Sequence, residues 1–151
     1  MRQLFKPGIC RFSELMGPPT LPHPAPLPSV PFIPPRPGWK QPPPEPHLKV
    51  RAKPNGGIML SWNLKFNSDH EDIKFYRIYA YEETSEEPSQ LLWRTVGDVV
   101  ALTLPMACTL TQFKEGYTYH FAVRAVDMRN RLGQSSNIVS IHLKPPNHSK
   151  L

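Results

Sequence analysis

The residues that could perform metal, redox or nucleophilic chemistry are six histidines and two cysteines, scattered along the chain. Cys10 and Cys108 are far apart, and no group of histidines has the spacing of a zinc site. No serine, histidine and carboxylate set occurs in a recognisable hydrolase context, and no glycine-rich loop opens a helix to hold phosphate. The sequence therefore predicts no catalytic residue, no metal site, no cofactor and no enzymatic activity.

The elements that would position any functional side chain are short runs of β-branched and aromatic residues from His47 onward, separated by turn residues. No helix fits this pattern. The predicted strands span residues 47–52, 57–63, 73–82, 91–98, 106–111, 117–127 and 136–143. Seven strands in about a hundred residues indicate an all-β, immunoglobulin-like sandwich.

Proline divides the chain in two, since 15 of its 20 copies lie between Pro7 and Pro46. Prolines at this density remove backbone donors and favour polyproline II or coil. We predict a disordered proline-rich leader at residues 1–45, one domain at 46–144 and a disordered tail at 145–151. No export signal or membrane span is apparent, which favours a reducing compartment.

The formal net charge of +6 is shared equally by the leader and the domain. Binding to nucleic acid through phosphate neutralisation usually requires a clustered basic face, and here the charges are spread out. We therefore expect no direct contact with nucleic acid or membrane, and we expect a monomer.

Several residues of the predicted strands resemble the fibronectin type III pattern. Trp62 stands where that family has its core tryptophan, residues 76–78 match its third strand, and residues 113–126 match its sixth, with Glu115 replacing the usual proline. Tyr119 stands at the tyrosine corner, whose hydroxyl bonds to nearby backbone. The resemblance implies a fibronectin type III sandwich. Its expected core residues are Trp62, Tyr76, Ile78, Tyr119, Phe121 and Val123.

A narrower resemblance rests on residues 79–83, 102–113 and 121–125. These are similar to the C-terminal fibronectin domain of the activating-transcription-factor-7-interacting protein family, also called methyl-CpG-binding-protein-associated chromatin factors, with the shorter second member expected to be most similar. The resemblance implies a nuclear corepressor scaffold whose fibronectin domain docks onto a methyl-CpG-binding repressor. It also implies a link to a histone H3 lysine-9 methyltransferase complex and heterochromatin, through regions outside this sequence.

A partner surface is predicted where a strand should be polar and is aromatic instead. The family pattern places alternate residues of the third and sixth strands in the core, which turns the others outward. The predicted partner-binding residues are Phe75, Arg77, Tyr79, Tyr81, His120, Ala122 and Arg124. Tyrosine and arginine are typical anchors of protein interfaces. The alternative is that the tyrosines pack across strands or against the leader and stabilise the sheet.

Other segments leave further hypotheses open. Arg129 and Arg131 lie in the loop where adhesive fibronectin domains carry Arg-Gly-Asp, which is absent here, so they are expected to be solvated or to contact an acidic partner. An extracellular adhesion module is one alternative function. A proline-rich adaptor is another, because residues 30–36 fit a ligand of SH3 or WW domains. Residues 138–141 resemble a SUMO-interacting segment but are expected to belong to the last strand, and Trp93 is expected to pack at a sheet edge.

Overall fold

The computed structural model describes residues 22–54 and 56–145, and its regular elements in that part of the chain are seven strands and one short 3-10 turn. The strands are β1 His47–Ala52, β2 Ile58–Asn63, β3 Ile73–Glu82, β4 Trp93–Val100, β5 Met106–Leu110, β6 Thr118–Asp127 and β7 Val139–His142. The 3-10 turn, Gln90–Leu92, leads directly into β4. None of the described residues belongs to a helix that could cross a membrane.

The strands form two antiparallel sheets that face each other. One sheet has the order β1-β2-β5, and the other has the order β4-β3-β6-β7. The predicted all-β sandwich of seven strands is confirmed. The longest strands, β3 and β6, are neighbours at the centre of the four-stranded sheet, so each is paired on both sides.

The core lies between the sheets and follows from the alternation of apolar residues along each strand. In β2, Ile58, Leu60 and Trp62 point inward, and the ring of Trp62 packs edge-on against Tyr76 of β3 at a centroid distance of 5.3 Å. All six expected core residues lie in this buried cluster, namely Trp62, Tyr76, Ile78, Tyr119, Phe121 and Val123. Burial of these large side chains is the main stabilising contribution to the sandwich.

Tyr119 makes the corner contact that the fibronectin pattern implies. Its hydroxyl accepts a hydrogen bond from the backbone N–H of Lys114 at 2.9 Å and donates one to a carboxylate oxygen of Glu82 at 2.8 Å. The contact ties the β5–β6 connection to the end of β3. Burial, aided by the bond to Glu82, raises the pKa of the phenol.

The starts of β4 and β7 differ from the sequence prediction, because side chains take over backbone hydrogen bonds there. Ser89 Oγ accepts from the N–H of Leu91, which forms the 3-10 turn and delays β4 until Trp93. Near the last strand, the side-chain amide of Asn137 bonds to both the N–H and the carbonyl of Leu48 at 2.8 and 3.0 Å. Strand β7 therefore begins at Val139 rather than at 136.

Several of residues 22–45, for which the sequence predicts a disordered leader, contact the sandwich. Gln41 forms a parallel bridge with His70. At Gly133, an added Cβ would lie 2.6 Å from the backbone oxygen of Pro43, so only glycine permits this close approach. An extended backbone leaves its carbonyls free to accept hydrogen bonds from side chains of the domain, as those of Ala25, Pro28 and Lys40 do. The predicted leader up to residue 21 and most of the predicted tail lie outside the described residues.

Candidate protein-binding face

The predicted partner-binding residues lie together on the side of the four-stranded sheet that points away from the core. In the register of β3 and β6, Tyr81 is opposite His120, Tyr79 is opposite Ala122, and Arg77 is opposite Arg124. Strand β4 adds Trp93 opposite Tyr81. We call this surface the outer face; its members are Phe75, Arg77, Tyr79, Tyr81, Trp93, His120, Ala122 and Arg124.

One end of the outer face is an aromatic cluster. The ring of Tyr81 packs edge-on against Trp93 and His120, with centroid distances of 5.2 and 5.7 Å. Both ring nitrogens of His120 have partners, since Nδ1 is 2.6 Å from Ser140 Oγ and Nε2 is 2.6 Å from Glu83 Oε2. The row of Glu83, His120 and Ser140 ties the end of β3 to β6 and β7.

The other end of the outer face is more open and is held by an ion pair. Two guanidinium nitrogens of Arg77 donate to the two carboxylate oxygens of Asp98 on β4, at 3.0 and 3.3 Å. The hydrogen bond that Arg77 donates to Asp98 is the largest reason that the pKa of Arg77 is raised. The guanidinium also lies 5.3 Å from the ring centre of Phe75. Phe75, Arg77 and Tyr79 are half-buried.

The aromatic end is covered by residues 23–28 of the chain itself, and we call this segment the strap. Trp93 Nε1 donates to the carbonyl of Ala25 at 2.7 Å, and Arg124 Nη2 donates to the carbonyl of Pro28 at 2.6 Å. His23 Nδ1 and the Tyr81 hydroxyl share a hydrogen bond of 2.6 Å. The strap therefore crosses β4, β3 and β6 and contacts all three.

The strap corrects the sequence prediction of an open surface. Tyr81 and Ala122 are fully buried, and His120 and Arg124 are only 4% and 6% exposed. These four residues face outward from the sheet, as predicted, but they do not face solvent. The alternative that the tyrosines pack against the leader describes Tyr81, whereas Tyr79 stays half-buried beneath the guanidinium of Arg124 at 5.4 Å.

Trp93 is the member of the outer face that sequence reasoning missed. It was expected to pack at a sheet edge, and β4 is indeed an edge strand, but its indole lies in the aromatic cluster and bonds to the strap. The sequence signal that could have indicated the contact of Trp93 with the strap is the alternation of Ala25 and Leu27 with proline. Within the strap, Ala25 is buried, His23, Pro24 and Leu27 are half-buried, and Pro26 and Pro28 are exposed.

Arg129 and Arg131 both contact their own chain, and Arg129 also stays exposed to solvent. Arg131 is 6% exposed; its Nε donates to Asp127 at 2.9 Å and its Nη2 to the carbonyl of Lys40 at 2.7 Å. Arg129 lies 3.7 Å from Glu71, and both guanidinium groups lie over the ring of Trp39. The prediction of a solvated loop is wrong for Arg131, because Asp127 and the Trp39 ring bury it.

The two other predicted binding motifs differ in exposure. In the proline-rich motif at residues 30–36, Phe32 is 82% exposed, but the basic Arg36 stacks over Trp39 at 4.8 Å. In the SUMO-like segment, Val139 and Ile141 pair with Phe121 and Tyr119 of β6, as expected for the last strand.

No group of three or more metal-ligating side chains occurs in residues 22–54 and 56–145. Cys108 is half-buried on β5, and burial raises the pKa of its thiol, which disfavours the reactive thiolate. Cys10 lies outside the described residues. The outer face carries aromatic rings, the indole donor of Trp93 and the guanidinium donors of Arg77 and Arg124.

The comparisons with known proteins agree with this geometry. Residues 41–140 match the model of the "Fibronectin-III type domain", and the chain belongs to that family. The fold is shared with the chicken CNTN1 FN1–FN3 domains, at a TM-score of 0.52 and 18% identity, over 67% of this chain and 31% of that one.

Within the family, the chain is similar to two named relatives. It is 45% identical over 107 residues to activating transcription factor 7-interacting protein 1 of Homo sapiens. This alignment covers 65% of this chain and 8% of the relative. It is 40% identical over 103 residues to activating transcription factor 7-interacting protein 2 of Homo sapiens. This alignment covers 66% of this chain and 15% of the relative. The predicted relationship is confirmed, but the expectation that the second member is more similar is wrong. The matching family and these relatives indicate no class of enzyme.

Proposed function

We propose that this chain is a non-enzymatic docking module of a nuclear transcriptional co-regulator. In this proposal its fibronectin domain binds a methyl-CpG-binding repressor and so couples that repressor to histone H3 lysine-9 methylation and heterochromatin silencing. The methyltransferase complex contacts regions outside this chain. The module acts as a monomer and does not itself contact nucleic acid or membrane.

The observation that carries the proposal is the 45% identity to activating transcription factor 7-interacting protein 1, extending over 107 residues. The fold alone would not support it, because the same sandwich serves unrelated functions. The name of that relative describes interaction with a transcription factor. Because the chain spans only 8% of the relative's length, what it would share is one domain of a larger scaffold.

The open end of the outer face is the proposed contact surface. Phe75, Arg77 and Tyr79 combine two half-buried aromatic rings with a guanidinium already held in place by Asp98. A side chain that is ordered before binding loses less conformational entropy when the complex forms. Aromatic and arginine side chains also dominate the binding energy of many protein interfaces.

The charge distribution supports a protein partner over nucleic acid. The formal net charge is +6, but three of the arginines are bound to carboxylates of the chain itself, namely Arg77, Arg129 and Arg131. Phosphate binding would require these cations to be free and clustered.

The test is affinity purification of the full chain from nuclear extract followed by mass spectrometry. We expect a methyl-CpG-binding repressor among the recovered proteins, and we expect Tyr79→Ala combined with Phe75→Ala to lower its recovery at least tenfold. Leu91→Ala is the matched control, because Leu91 is 92% exposed and lies in the turn before β4, away from the open end.

Circular dichroism and thermal unfolding of each variant would show that the fold is kept. A recovered set without methyl-DNA readers or other chromatin proteins would contradict the proposed role. Equal recovery by the double variant and by the control would instead remove the open end of the outer face from the contact surface. Recovery of SH3 or WW proteins would favour the adaptor hypothesis.

A further inference from the structure

The strap shows what kind of ligand the aromatic end of the outer face accepts. Prolines at positions 24, 26 and 28 fix every second φ angle near −65° and push the intervening residues toward extended conformations. Residues 25–36 accordingly contain no helix, strand or turn. The face thus holds an extended chain whose small and apolar residues point toward it.

The contacts with the strap depend mainly on its backbone. Two of the three hydrogen bonds end on backbone carbonyls, of Ala25 and Pro28, and their donors are the Trp93 indole and the Arg124 guanidinium. Ala25 is 4% exposed and packs in the same cluster as Tyr81, Trp93 and Ala122. An indole donor beside tyrosine rings is the arrangement with which aromatic grooves bind polyproline II segments.

Two observations indicate that the strap is exchangeable. The family match begins at residue 41, downstream of the strap, so the sandwich is defined without it. In addition, the buried Nε of Arg124 has no hydrogen-bond partner within the described part of the chain. A buried donor without a partner is costly, and a ligand that places an acceptor there would satisfy it.

We propose that the aromatic end of the outer face is a recognition site for an extended, proline-flanked segment of a partner protein, with a small residue at the position of Ala25 and an apolar one at the position of Leu27. The strap occupies this site in the free chain and competes with the partner. The proposal rests on the proposed docking function and names the chemistry of the docked segment. Because a short tether gives an effective concentration of the order of millimolar, the strap weakens binding in trans.

The test uses the full chain and a fluorescein-labelled peptide of residues 22–30 as the probe. In one variant, Pro24, Pro26 and Pro28 are all replaced by glycine, which makes the strap flexible and favours its release. The matched control carries the same number of glycines at Pro34, Pro35 and Pro37, which lie outside the strap. Fluorescence anisotropy measures peptide binding, and the indole N–H signal of Trp93 in NMR spectra reports whether the strap is seated.

We expect the strap variant to bind the peptide at least about tenfold more tightly than the wild type and the control, because it lacks the tethered competitor. Adding Trp93→Phe or Arg124→Gln to the strap variant should lower the affinity about fivefold to tenfold, as expected for one lost hydrogen bond. Retention of the indole N–H signal of Trp62, which packs against Tyr76 in the core, would show that the sandwich is intact in the Trp93→Phe variant.

Three results would overturn the proposal. The first is a strap variant that binds the peptide no better than the control. The second is an unchanged Trp93 indole signal in the strap variant, which would make the strap a permanent part of the domain. The third is a concentration-dependent dimer, which would make a second copy the occupant. Because all components are purified, failure of this test is independent of which nuclear proteins the chain recovers.

Discussion

The buried ion pair between Asp127 and Arg131 gives the sharpest stability prediction. Asp127 is fully buried, and its carboxylate accepts three hydrogen bonds of 2.9 Å: from the backbone N–H groups of Arg129 and Arg131, and from Arg131 Nε. In Asp127→Asn the volume is kept and one acceptor oxygen remains. The new amide N–H, however, faces the guanidinium, so two donors oppose each other and the buried cation loses its counter-charge.

The expected loss follows from these contacts. Removing one partner of a buried ion pair costs about 3–5 kcal/mol, and because asparagine keeps one acceptor we expect about 3 kcal/mol. For a domain of about 100 residues, each kcal/mol lowers Tm by about 4–8 °C, so Tm should fall by about 12 °C or more.

The matched control is the same chemical change in an exposed pair. Asp98→Asn breaks the bidentate pair with Arg77, whose side chain is 34% exposed beside a carboxylate that is 43% exposed. Exposed pairs contribute about 0–1 kcal/mol because water screens them. Urea unfolding monitored by tryptophan fluorescence measures both variants. If the two free energies of unfolding fall by the same amount, the argument from burial is wrong.

Two further predictions concern the tyrosines. Tyr119→Phe removes both hydrogen bonds of the corner and should lower the free energy of unfolding in urea by about 2 kcal/mol. The control Tyr117→Phe changes a residue that is 41% exposed and should lower this free energy by under about 0.5 kcal/mol. Equal losses would contradict the role of the corner. Burial raises the pKa of Tyr76 and of Tyr119 above the value of 10.0 that an exposed tyrosine has. The folded chain therefore holds these protons more tightly than the unfolded chain, and this contribution to stability is full below pH 10.0 and is lost as the pH rises through the raised pKa values. The urea midpoint should fall between pH 9 and pH 11, and an unchanged midpoint would contradict this sign.

The strands could be predicted from the sequence because their period of two is a local signal. The bounds of β1 and β3 agree with the prediction at both ends, and β2 and β6 differ by one residue at their starts. The inward and outward sets on β3 and β6 follow from the same period, because a strand that buries Tyr76 and Ile78 must turn Arg77 and Tyr79 to the other side. Local alternation therefore defines a face, but not what lies on it.

The cover over the outer face could not be predicted because the alternation of Ala25 and Leu27 with proline does not by itself indicate which surface the segment contacts. Its strongest contacts use the carbonyls of Ala25 and Pro28, and every residue has a carbonyl. The position of Trp93 depends on where β4 begins, and the turn at Ser89 sets that start. A side-chain hydrogen bond stabilises this turn, so the strand propensity of the residues does not indicate it. Non-local backbone contacts of this kind are decided only in the folded chain.

The ion pair of Asp127 and the strap are parts of one arrangement. Arg131 bonds at once to Asp127 and to the carbonyl of Lys40, and its guanidinium lies over Trp39, so the buried pair fixes the chain at the end of the leader. The tether between the strap and the anchored Trp39 consists of residues 29–38. A shorter tether raises the effective concentration of the segment at its end. The loop at the position where adhesive fibronectin domains bind partners thus holds the end of the tether from which the strap extends.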